Sequence, residues 1–99
     1  MRITVTTRVD IEQADDLTAF SVATDLPLRD VDARLRAAGL GSAADKHAWI
    51  DAEALRTAAS ALATAADWNA GFDRMLDYAR SKGWLGADGA IRAHVTPLD

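Results

Sequence analysis

The chain has no cysteine, and that absence excludes disulfides, thiolate zinc sites and thiol nucleophiles. It also has no apolar run near the ~20 residues that a membrane span requires, and its start, Met1-Arg2-Ile3-Thr4, carries no long apolar run, so neither secretion nor insertion is expected. These two absences predict a cytoplasmic protein with no membrane partner. Basic residues are the minority, 11 against 15 acidic, and a net charge of −4 argues against a surface that seeks phosphate or anionic lipid everywhere. Any contact with nucleic acid must therefore be local.

What is present fits one small domain spanning residues 1–99. Hydrophobic residues reach 49%, but much of that share is alanine, so a few large side chains must anchor helices that approach through small faces. No internal repeat, low-complexity tract or linker interrupts the chain.

Alternation of Ile3, Val5 and Val9 with Arg2, Thr4, Thr6 and Arg8 predicts a strand over 2–9, with Thr7 the one lapse on its apolar side. Asp10 and Gln13 have capping-box spacing, and Glu12, Asp15 and Asp16 suit the positive end of a helix dipole, so a helix is expected over 12–24. Ile11 and Val22 lie off its apolar face. Pro27 ends that helix and a second begins just beyond, with Leu28, Val31, Leu35 and Ala38 as its stripe and Gly39 as its left-handed stop. Residues 42–46 are ambiguous between a turn and a strand, while 46–50 read as a brief strand.

Asp51 is a natural N-cap for a helix over 52–66, and Asp67 for the next. In the latter Trp68, Phe72, Met75, Leu76, Tyr78 and Ala79 share one broad arc and Gly83 supplies the stop. Asp88-Gly89 then turns the chain into a strand over 90–95, ended by Pro97. The expected class is α+β, predominantly helical: about four helices packed on one face of a small two- or three-stranded sheet, with strands near 2–9, 46–50 and 90–95.

Gly39-Leu40-Gly41-Ser42-Ala43-Ala44 matches the letters of a dinucleotide fingerprint, but a helix precedes it where that motif needs a strand, so its glycines read as helix caps and no cofactor is expected. His47 and His94 have no nearby histidine, cysteine or E-x-x-H partner, so no metal site is expected either. No nucleophile elbow or phosphate loop marks a catalytic residue.

Three tryptophans, Trp49, Trp68 and Trp84, stand at element ends. Such residues anchor cores, and they also dominate interface hot spots, which makes Trp84 with Leu85, and Trp49, the candidate protein-contacting residues. In element order, residues 2–39 resemble a ribbon-helix-helix DNA-binding unit, in which two chains pair their first strands in the major groove. That resemblance covers under half the chain, and it implies Arg2, Thr4, Thr6 and Arg8 as the reading face of a dimer.

Since no chemistry is concentrated anywhere, the sequence reads as a small non-catalytic protein-interaction or accessory module that docks on another protein or on itself. A dimeric DNA binder using strand 2–9 is the first alternative. A small enzyme with its site around His47 and His94 is the second.

Overall fold

A computed structural model describes residues 1–98. It corrects the expected architecture: three helices accompany a six-stranded mixed sheet that curls into a half-barrel. The strands are β1 (Arg2–Val5), β2 (Val9–Glu12), β3 (Ser21–Thr24), β4 (Gly41–Ala44), β5 (His47–Asp51) and β6 (Ala90–Pro97). The helices are α1 (Leu28–Ala37), between β3 and β4, and α2 (Ala52–Ser60) and α3 (Trp68–Ser81), between β5 and β6. Strand order is β2-β1-β3-β6-β5-β4, with β1, β3 and β6 parallel and the outer pairings antiparallel.

The single strand expected over 2–9 is a hairpin. Thr6 N–H donates to the carbonyl of Arg8 at 2.9 Å, so the lapse at Thr7 marks a turn, and Val9 returns opposite Val5. The helix expected over 12–24 does not form. Ile11 and Val22, which fitted its apolar face poorly, are strand residues in β2 and β3, and Gln13 leaves β2 with a left-handed φ of 56°. The carboxylates that looked like helix-start residues bind elsewhere: Asp16 accepts from the N–H and hydroxyl of Thr18, and Asp15 reaches Thr64 and Ala65.

That second reach also explains why α2 stops at Ser60 instead of continuing to 66. In a continuing helix the N–H groups of Thr64 and Ala65 would donate to carbonyls four residues back; here both donate to Asp15. Asp51 caps α2 as expected, accepting from Glu53 and Ala54 N–H, whereas the side chain of Asp67 makes no capping bond to α3.

The ambiguous stretch 42–46 supplies β4 and a two-residue turn, Asp45-Lys46, with both residues at positive φ as a tight antiparallel hairpin requires. Gly41 has to be glycine, because a Cβ there would lie 2.0 Å from the carbonyl oxygen of Trp49. Gly39 closes α1 at φ 72°, as expected. The outer edge of β4 is not left bare: Asp32 of α1 accepts from Ala43 N–H at 2.8 Å while pairing with Arg36. Arg34 of α1 reaches the Thr7 carbonyl in the β1–β2 turn.

One face of the sheet is apolar but for Thr24, whose hydroxyl donates to the Val5 carbonyl. Ile3, Val5, Val22, Ile50 and Ile91 project from it and meet Val31 and Leu35 of α1, Leu55 of α2 and Phe72 and Leu76 of α3 in a single core. At β5 and β6 burial alternates strictly, so Trp49, Arg92 and His94 lie on the uncovered face. At β1 and β3 even that face is shielded, since Thr4 and Ala23 are both buried. Among the described residues no helix is long and apolar enough to cross a membrane.

Candidate binding surfaces

A concave feature opens where β3 and β6 part. Their parallel pairing begins at Val22 and Val95; before that point β3 is preceded by the segment Gln13–Phe20, and β6 is flanked instead by Trp84 and Leu85. Trp84 accepts a bond from Arg92 N–H through its carbonyl at 2.7 Å, and Leu85 bridges to Ile91. The space left between the 13–20 segment and α3 is a groove of about 670 Å³, within the range of small-molecule and peptide-anchor pockets.

Its walls are mainly apolar: Leu17 and Phe20 from the segment, Met75 and Tyr78 from α3, Ile91 at β6 and Trp84 beside it. Tyr78 is 58% exposed and Trp84 36% exposed, and their rings meet edge to face at 5.9 Å. Gly71 lets the segment approach α3 closely, since a Cβ there would lie 2.6 Å from Leu17 Cδ1. Arg74, on the exposed side of α3, also lines the groove and forms no ion pair among the described residues.

The segment wall is held by bonds from far along the chain. Trp68 Nε1–H donates to the Ala14 carbonyl at 2.6 Å, and the Met1 ammonium donates to the carbonyls of Asp16 and Ala19 at 2.6 and 2.8 Å. Partial burial pushes the Met1 ammonium pKa down. The bonds from Ala65 N–H and from the hydroxyl and N–H of Thr64 hold the Asp15 carboxyl below the ordinary carboxylate range.

The second surface is the uncovered face of β5 and β6. His47 and His94 are register partners, with ring centroids 5.4 Å apart, and Trp49 and Arg92 are the next partners on the same face. The Nδ1 of His47 lies 3.0 Å from the Asp45 carbonyl; a carbonyl only accepts, so that nitrogen carries the hydrogen. The structure thus brings together two histidines that are distant in sequence. Among the described residues no group of three or more histidine, cysteine or acidic side chains is arranged to hold a metal.

The residues singled out in the sequence are distributed over both surfaces and beyond. Trp84 lines the groove, Leu85 behind it packs on the core, and Trp49 stands on the sheet face. Arg2 and Thr4 lie in β1, which has β2 on one side and β3 on the other, so the free first strand on which the ribbon-helix-helix resemblance rests does not exist in this fold. Arg2 pairs with Glu12, lowering the Glu12 pKa, and Arg8 pairs with Asp10; Thr6 sits in the turn between them. The glycines at 39 and 41 end α1 and enter β4, in the reverse order of a dinucleotide site.

Sequence reasoning missed Leu17, Phe20, Arg74 and Arg92. The only signal for Arg74 was its place opposite the apolar arc of α3, which by itself describes any solvated residue. No protein-family model matches the chain, and neither the curated proteins nor the solved structures hold a match to it.

Proposed function

We propose that this protein is a small non-catalytic interaction module that captures an apolar, acidic segment of another protein in the groove between residues 13–20 and α3. The observation that carries the reading is the coincidence of an exposed aromatic pair, Tyr78 and Trp84, with Arg74, a guanidinium in no ion pair among the described residues, around one mainly apolar cleft. Exposed aromatics provide large contact area with little conformational entropy to lose, which is why they dominate hot spots. Arg74 selects the sign of the partner: an aspartate or glutamate beside an apolar anchor neutralises it, whereas a lysine-rich segment meets repulsion.

Selection of displayed peptides on the purified chain tests this reading. Enriched sequences are expected to combine an aromatic or branched anchor with an acidic residue, to lose binding to Trp84→Ala and Tyr78→Ala, and to be rejected by Arg74→Glu. Absence of enrichment over a folded Trp84→Ala control, or enrichment of basic sequences, contradicts it.

A further inference from the structure

We infer that the uncovered face of β5 and β6 is a stacking platform for single-stranded nucleic acid, separate from the groove. Four side chains with flat π faces form a contiguous tile there: Trp49 beside Arg92 and His47 beside His94, each pair directly across two strands. Residues two apart on a strand lie ~7 Å apart on one face, so the pairs make two successive rows. Trp49 is 37% exposed, and Arg92 and His94 are exposed as well, although the other face of the same strands is fully packed. More than a third of this large residue is open to solvent on a regular strand, and it is not part of the core cluster.

The tile has the two properties that a nucleotide chain recognises. Its rings and guanidinium plane offer stacking surfaces, which accept any base because every base has a π face. Arg92 is its cation and forms no ion pair among the described residues; at the adjoining turn Lys46 and Asp45 offset one another, neither appearing in an ion pair among the described residues. The carboxylates nearest the other end of the sheet, Asp10 and Glu12, are already paired with Arg8 and Arg2. Asp51 lies beyond Trp49 on the same face, so the positive charge of the tile is that of Arg92. A net charge of −4 restricts the electrostatic footprint to one or two phosphates, so stacking must dominate over charge.

The test is anisotropy of fluorescein-labelled oligo-dT and oligo-U of about eight nucleotides, with the same length of duplex as the comparison. Saturable binding to the single strands is expected, with a shallow slope near −0.7 per phosphate contacted in log affinity against log salt. Trp49→Ala should weaken it roughly 5- to 100-fold, Trp49→Tyr should restore most of the loss, and Arg92→Ala should flatten the slope. Trp84→Ala, in the groove, should leave it unchanged. The oligo-dT and oligo-U arms tell whether the ribose hydroxyl adds to a shared base-and-phosphate contact. Absence of saturable binding, equal binding of duplex, or undiminished binding by a Trp49→Ala variant whose circular dichroism is native overturns the inference.

Discussion

The two walls of the groove are built by opposite means. Helix α3 is determined locally: Trp68, Phe72, Leu76 and Ala79 recur at helical spacing and are buried together, and Gly83 ends the turn with a left-handed φ of 77°. The facing segment, Gln13–Phe20, has no regular structure; Met1 and Trp68 donate to its backbone carbonyls and Thr64 and Ala65 to its Asp15 carboxylate, and the partners other than Met1 lie about fifty residues away. A helix whose determinants lie within itself forms wherever its apolar face finds a partner. A segment tied to the fold by distant bonds takes its place when the rest of the fold is in place.

This contrast sets the order of expected mutational effects. Phe72 is fully buried at the centre of the regular wall, and Phe72→Ala should destabilise the whole domain by about 3–5 kcal/mol, read as a fall in the chemical-denaturation midpoint. Trp68→Phe keeps most of the packing but leaves the Ala14 carbonyl without its donor, which should lower stability by about 1–3 kcal/mol. Its signature is faster amide exchange in residues 13–20 than in α3. If both regions speed up equally, the walls are not independent.

Asp15→Asn acts on the segment alone and should do so through pH. The folded carboxyl titrates below its ordinary 3.8, so its bonds to Thr64 and Ala65 contribute stability above that value and lose it as pH falls through the lower folded pKa. The variant should therefore be less protected at Thr64 and Ala65 at neutral pH, and its stability should fall less steeply than the parent's below about pH 4. Tyr78→Ala is the smallest change. With most of its ring in solvent it should alter stability by no more than about 0.5 kcal/mol while abolishing peptide capture, which separates the surface role of this residue from its place on the apolar arc.

The same contrast explains what the sequence disclosed. Helix α3, the start of α2 at Asp51, the strand from Ala90 and the stops at Gly39 and Gly83 all rest on signals within a few residues of one another, and all were readable. The region 12–24 was not, because Asp15 and Asp16 have the composition of a helix start, whereas Asp15 bonds Thr64 and Ala65 far along the chain and Asp16 turns onto Thr18. The end of α2 failed for the same reason from the other side: alanines 58 to 66 favour helix, and Asp15 removes two of the donors. Expecting a helix over 12–24 and one strand over 2–9 then hid the sheet, since β2 and β3 were overlooked and β4 was left ambiguous.

Of the candidate site, Trp84 and Trp49 were legible as aromatics at element ends, but their assignment to different surfaces was not. Nor was the pairing of His47 with His94, which depends on the antiparallel register of β5 and β6.

The most direct check on this account is the Trp68 indole N–H in an NMR spectrum of the isotope-labelled protein, recorded with the Cα chemical shifts of residues 9–24. A slowly exchanging indole proton with an Overhauser contact to Ala14, together with extended shifts at Val9–Glu12 and Ser21–Thr24, is the predicted result. An indole that exchanges at the solvent rate, with unbroken helical shifts from Gln13 to Thr24, would contradict the segment wall and with it the groove.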